Sequence, residues 1–159
     1  MERREVATPG TMATSKSRTN HGLANGYRSG LEDTVAAQLA AAGVPVQYES
    51  VAFKYIKPSK PSRYTADFIL PNGIVIETKG RFLTADRQKH KLVKAQYPKL
   101  DLRFVFSRST TRLTKQSKTT YAAWCEQYGF KFADKLIPIA WIKEPFCPER
   151  WAAIEEASK

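Results

Sequence analysis

A mixed α/β fold is predicted for this chain by three features. Apolar residues recur at helical spacing after Ser29, short β-rich runs are bounded by turn residues, and Pro71-Asn72-Gly73 joins two of those runs as a hairpin. Ser29 is placed to cap the first helix, with Glu32 three residues on at the capping-box position. Leu31, Val35, Leu39 and Ala42 then mark its apolar face, and Gly43 supplies the stop. Val46–Ile56 reads as β, with Val51, Phe53 and Tyr55 alternating after a break in phase near Ser50. Lys57–Pro61 holds two prolines and is read as a connection that interrupts the sheet. Tyr64–Leu70 and Ile74–Lys79 are the two strands of the hairpin. Thr84 is predicted to cap a second helix running to about Gln96, whose Arg87, His90, Lys91 and Lys94 share one face. Leu102–Phe106 is a short apolar strand, Ser107–Lys118 a basic Ser/Thr-rich loop, and Thr120–Tyr128 a helix ended by Gly129. Phe130–Ile142 alternates short apolar pieces, and Pro148–Ala157 is expected to be a last, exposed helix.

The chain has 159 residues, 42% of them hydrophobic, which is enough for one core and argues against wholesale disorder. Residues 1–26 lack hydrophobic periodicity and are read as a flexible tail, with one compact domain after Gly26. The longest apolar stretches, Leu39–Val46 and Leu136–Ile142, fall far short of the roughly 18 residues that span a bilayer. Cys125 and Cys147 make neither a metal-spaced pair nor a disulfide framework, so both are expected as free thiols. The net charge of +11 points to a polyanionic partner. That charge is localised: between Arg81 and Lys118 there are eleven Lys/Arg against only Asp86 and Asp101, a surplus of +9. No amphipathic helix accounts for this surplus as well as a nucleic-acid backbone does.

Within this basic chain, Asp67, Glu77 and Lys79 sit on an otherwise hydrophobic hairpin. If Leu70 pairs with Ile74 across the turn, Asp67 falls opposite Glu77, and Lys79 lies on the same strand face as Glu77. Two carboxylates side by side repel unless something positive lies between them. A hard divalent cation taking oxygen ligands fits, with the Lys79 ammonium beside it to orient water and stabilise phosphate charge. The alternative is a solvated hairpin face of ordinary charged residues. Two features favour a site: the residues alternate with core-type Phe68, Ile74 and Ile76, and the +9 segment follows directly after Lys79.

Glu32 has a structural task as a capping residue and a second possible one as a metal ligand, and spacing alone does not decide between them. His90 is open to a catalytic reading as base or proton shuttle, but a place in the cationic stripe or on the surface is preferred. Tyr27, Tyr48, Tyr55, Tyr64 and the three Trp offer base-stacking surfaces, yet most occupy apolar faces and are assigned to the core.

The layout Asp-x9-Glu-x-Lys resembles the PD-(D/E)xK nuclease core, a loose motif. A more specific likeness lies in Arg28–Asp33, Asp67–Ile74 and Glu77–Gly80, which resemble the phage endonuclease I family, the Holliday-junction resolvases of short-tailed phages. Asp86-Arg87, Lys89-His90, Pro98, Leu100-Asp101, Val105–Ser107, Lys131–Pro138 and Ala140–Pro145 extend it over roughly Tyr27–Pro145. Ala66 stands where the family usually has proline, and an acidic pair is reduced to Asp86 after Ala85. The extension through Gly26 is longer than expected, and Pro148–Lys159 does not resemble the family's basic C-terminus.

The resemblance implies a restriction-endonuclease-like core with a mixed central sheet flanked by helices, in a strand-swapped homodimer. It implies a nuclease domain over 27–145, a swapped bridge at about 51–61, and a C-terminal helix or tail over 146–159. Each composite site would take Glu32 from one chain and Asp67, Glu77 and Lys79 from the other as catalytic residues. Glu32, Asp67, Glu77 and the Thr78 carbonyl would hold metal: two Mg²⁺ per site, with Mn²⁺ able to substitute. The expected activity is Mg²⁺-dependent paired hydrolysis of four-way and other branched DNA junctions, in the cytoplasm of an infected bacterial cell. Arg28, Arg81, Arg87, Lys89, His90, Lys91, Lys94, Arg108, Arg112, Lys115 and Lys118 are the expected DNA contacts. A non-catalytic basic DNA-binding protein and a PD-(D/E)xK nuclease acting on linear duplex are the alternatives.

Overall fold

A computed structural model describes residues 29–57 and 60–159; the expected N-terminal tail and Arg28 lie outside these residues. The elements run α1 (Gly30–Ala41), β1 (Gln47–Tyr48), β2 (Ala52–Lys57), β3 (Lys60–Thr65), β4 (Phe68–Ile69) and β5 (Val75–Lys79). They continue as α2 (Thr84–Gln96), β6 (Leu102–Phe106), α3 (Tyr121–Tyr128), β7 (Phe132–Asp134), α4 (Ile139–Ile142) and α5 (Pro148–Ser158). A five-stranded sheet has the order β1-β4-β5-β6-β7, and β2 and β3 form a separate hairpin.

The central sheet is mixed for reasons of connectivity. A tight turn joins β4 to β5, which forces an antiparallel pair, whereas α2 and α3 carry the chain back for parallel β5–β6 and β6–β7 pairs. Side chains alternate between two hydrophobic clusters. Val75, Phe104 and Phe106 face one with Phe53, Tyr64, Phe82 and Trp124, while Ile74, Ile76 and Val105 face the other with Val35 and Leu39 of α1. The 70–74 turn is tied by Leu70 and Ile74, whose backbones bond at 2.9 Å. Gly73 has φ +88°, and a Cβ there would meet the Cβ of Arg150 at 2.6 Å, so only glycine fits.

Several elements differ from expectation. Lys57, Lys60 and Pro61, expected in a connection that interrupts the sheet, lie instead in strands: Lys57 pairs with Lys60 and Ile56 with Pro61 in the β2–β3 pair. The expected Tyr64–Leu70 strand is broken at residues 66–67, where the chain leaves the hairpin for the central sheet. Helix α2 is capped one residue earlier than Thr84. Leu83 is its N-cap, with the Leu83 N–H donating to the Asp86 carboxylate at 3.2 Å. Helix α5 is not an exposed appendage; Ala153, Ile154 and Ala157 are buried and the helix lies against β2. Both cysteines are free, Cys125 in the core. No helix among the described residues is long and apolar enough to cross a membrane.

Arg103, part of the basic segment, is withdrawn from solvent at 1% exposure. Its guanidinium bonds Asp101 at 2.8 Å and Glu144 at 2.8 Å, and Arg150 joins both carboxylates. Removing this buried guanidinium leaves a cavity, while Arg150 still pairs both partly exposed acids, so Arg103→Ala is expected to cost about 1–3 kcal/mol in chemical denaturation.

Candidate active site

The β4–β5 hairpin and α1 bring the acidic residues together. Phe68 pairs with Ile76, which sets Asp67 opposite Glu77 as the turn predicts. Asp67 Oδ2 accepts both the backbone N–H and the hydroxyl of Thr78, each at 2.8 Å. Lys79 Nζ lies 3.1 Å from Glu77 Oε1 and 3.3 Å from Asp86 Oδ1. Glu32 enters from the first turn of α1, where its N–H donates to the Ser29 hydroxyl at 3.1 Å. Its carboxylate accepts the Tyr48 hydroxyl, so the backbone takes part in the cap while the side chain reaches the site. Glu32, Asp67, Glu77, Thr78 and Lys79 all line one cleft of about 530 Å³, with Arg63, Tyr64, Thr65, Asp86 and Lys89.

The electrostatics are those of a buried acidic pair with Lys79 beside it. Burial, then the charges of Glu77 and Glu32, hold the Asp67 carboxyl well above the usual carboxylate range, against the pull of its Thr78 bonds. Burial also opposes the Glu77 anion, but His90, Lys79 and Tyr64 outweigh it and keep Glu77 ionised. Glu77 and Asp86 likewise keep Lys79 an ammonium despite its burial. The cleft is lined by the carboxylates of Glu32, Asp67, Glu77 and Asp86 and, among the described residues, by no histidine or cysteine, a donor set that fits a hard divalent ion better than a soft one.

Some residues were missed in the sequence. Glu49 places a carboxylate oxygen beside those of Glu32 and Asp67, the three lying within 4.8 Å of one another. Its backbone N–H donates to the Asp67 carbonyl at 3.1 Å, and its φ is +43°. Tyr48 and Tyr64, assigned to the core from their apolar surroundings, turn their hydroxyls onto Glu32 and Glu77. The available signal was their position two residues from a phase break and three from Asp67, which names no partner.

The expected DNA contacts divide. His90 is a correction: it is fully buried at 0% exposure, with Nε2 3.7 Å from Glu77 Oε1, so it belongs neither to the surface stripe nor to a DNA-facing set. The α2 face is split because Tyr64 of β3 and Phe104 of β6 cover its centre at His90. Lys89 faces the cleft, over the Tyr64 ring. Lys91 lies over Tyr128, and Lys94 donates to the Gly129 carbonyl at 2.9 Å, both at the end of α3. Arg87 donates to the Phe82 carbonyl and Thr84 hydroxyl. Arg81, Arg108, Arg112, Lys115 and Lys118 are exposed. The basic loop begins beside the site, where the Ser107 N–H donates to the Lys79 carbonyl at 3.2 Å. Asp134 then anchors it by accepting the backbone N–H and hydroxyl of Ser109, each at 3.0 Å.

Comparison with known proteins places the chain in a family. The family model of phage endonuclease I matches residues 12–158, nearly the whole chain. The chain belongs to the phage endonuclease I family. Endonuclease I of Escherichia phage T7 is 53% identical to it over 119 residues, covering 75% of this chain and 80% of that protein. Endodeoxyribonuclease 1 of Enterobacteria phage T3 is 52% identical over 119 residues, covering 75% and 78% respectively. The T7 and T3 proteins are endonucleases by name, and the matched family region includes Glu32, Asp67, Glu77 and Lys79.

Proposed function

We propose that the chain is a Mg²⁺-dependent endodeoxyribonuclease that resolves four-way and other branched DNA junctions by paired cuts. The observation that carries this reading is the oxygen-rich cluster of Glu32, Asp67 and Glu77 beside Lys79, in a cleft flanked by an exposed basic loop. Asp67, Glu77 and the Thr78 carbonyl would hold one ion and Glu32 would help to hold a second. Mg²⁺, or Mn²⁺ in its place, would supply Lewis-acid polarisation of the phosphate and a more acidic water. The protein's own share is positional. Lys79, fixed between Glu77 and Asp86, stands ready to orient the attacking water and to balance charge on the phosphate oxygens. In-line attack at phosphorus with loss of the 3′ oxygen leaves a 5′-phosphate and a 3′-hydroxyl. Arg81 and the Arg108–Lys118 loop would hold junction backbones, contacts that position DNA without reading sequence.

The same reading includes a homodimer with composite sites and a restriction-endonuclease-like core formed by β4, β5, α2 and β6. Only residues 58 and 59 separate the paired ends of β2 and β3. Opening the hairpin there would let β2 of one chain pair with β3 of another and preserve the same contacts. Glu32, Tyr48 and Glu49 precede that point, whereas Tyr64, Asp67, Glu77 and Lys79 follow it. Exchange at 58–59 therefore divides the site between subunits without changing its chemistry. The host bacterial cytoplasm, where phage DNA branches, is the proposed place of action.

The test offers purified protein and Mg²⁺ a labelled four-way junction in the presence of excess linear duplex of the same sequence. Paired nicks in the junction, resistant to the duplex, are expected. Equal cutting of the duplex would indicate a linear-DNA nuclease, and binding with no cutting in Mg²⁺ or Mn²⁺ a non-catalytic DNA-binding protein.

A further inference from the structure

We propose that Tyr64 and His90 are positioning residues that together fix the Glu77 carboxylate for metal binding. This inference rests on the metal-dependent reading of the site. Glu77 is 3% exposed, and its two oxygens meet different neighbours. Oε2 accepts the hydroxyl of the buried Tyr64, from β3. Oε1 lies 3.1 Å from Lys79 Nζ and 3.7 Å from His90 Nε2, from α2. Elements distant in sequence thus converge on one carboxylate from both sides.

His90 is the more telling of the two. It is wholly buried, and neither ring nitrogen has a hydrogen-bond partner among the described residues. A buried polar group without a partner costs about 1–3 kcal/mol, which a hydrocarbon side chain of similar size would avoid. Packing alone therefore gives no reason for a histidine here. Its ring stands edge-on to Tyr64 at 4.9 Å and to Phe104 at 4.9 Å, which locks Nε2 in place towards Glu77. A carboxylate gripped at Oε2 and limited in rotation at Oε1 presents one oxygen on the Lys79 side. Partners behind a metal ligand that fix its orientation commonly alter metal affinity by about 10–100-fold. All three residues follow the β2–β3 connection, so the arrangement is indifferent to exchange between subunits.

The experiment measures Mn²⁺ binding to the DNA-free full chain by calorimetry, for wild type, Asp67→Asn, Tyr64→Phe and His90→Phe. Both aromatic variants retain a ring but lose the polar contact. Each is expected to weaken Mn²⁺ binding about tenfold or more, and their slowed junction cleavage should be rescued by higher Mg²⁺ with KM for the junction unchanged. A purely structural role would lower the melting temperature and leave the Mn²⁺ Kd at the wild-type value, which overturns the proposal. Should either variant fail to fold, histidine ¹⁵N spectra of the wild-type chain decide. The chain has only two histidines, and Mg²⁺ should move the His90 signals; unmoved signals overturn the proposal. If wild type itself binds no Mn²⁺, the fault lies in the metal-dependent reading, a result distinct from tight binding by wild type and variants alike.

Discussion

Asp67→Asn is expected to lower junction cleavage by about 10³-fold or more while leaving the folded protein and its DNA affinity intact. Asparagine has nearly the same shape, and its amide oxygen can still accept the Thr78 N–H and hydroxyl that hold the side chain now. Burial and the charges of Glu77 and Glu32 already favour the protonated Asp67 carboxyl when no metal is bound, so asparagine copies that neutral form and removes only the anion that metal binding calls for. The melting temperature should therefore hold. Junction binding in EDTA should hold or tighten, since no anion can form at this position beside the bound polyanion. The variant thus separates binding from chemistry. Normal cutting by Asp67→Asn would show that the cluster is not the reaction site.

The second large effect comes from mixing two inactive proteins. Glu32→Ala and Lys79→Ala should each be inactive as homodimers. In an exchanged heterodimer, one site receives α1 from the Glu32→Ala chain and its core from the Lys79→Ala chain, and so carries both defects. The other receives an intact Glu32 and an intact Lys79. Co-refolded mixtures should therefore recover nicking of one strand at roughly half the wild-type rate per heterodimer, with little paired cutting. Sites built within single chains would leave one defect in each, and mixing would restore nothing. Within one chain the described structure already brings Glu32 and Asp67 into one cleft, so the proposed exchange would alter ownership of the site and not its contacts.

What could be read in the sequence depended on the range of the interactions involved. The Asp67–Glu77 juxtaposition followed from a local count outward from Pro71-Asn72-Gly73, since a turn fixes register for the residues near it. Strand β6 and helix α3 were likewise bounded by local signals, an apolar run and the Thr120 cap with its Gly129 stop. His90 was misplaced because helical spacing groups it with Arg87, Lys91 and Lys94. Its burial is produced by Tyr64 and Phe104, brought in from other strands. Arg103 misled in the same way: within a charge count it adds to the phosphate-binding surplus, but Glu144, distant in sequence, ties the buried guanidinium into a partly exposed ion-pair network. The tyrosines carried an ambiguity of chemistry. An apolar ring and a polar hydroxyl satisfy a core pattern and a site at once, and only the fold shows that Tyr48 and Tyr64 end on carboxylates. Lys57–Pro61 was read through its prolines as a break, whereas the Ile56–Pro61 pair lies in a two-stranded hairpin with no third strand to require the missing N–H.

The most direct measurement follows strand-specific cleavage of an end-labelled four-way junction by the purified protein, with Mg²⁺ present and again with EDTA. The account predicts nicks in two opposed strands with Mg²⁺, each leaving a 5′-phosphate, and intact junction bound without cleavage in EDTA. Cutting that persists in EDTA, or bound junction left uncut at saturating Mg²⁺ by folded protein, would contradict it.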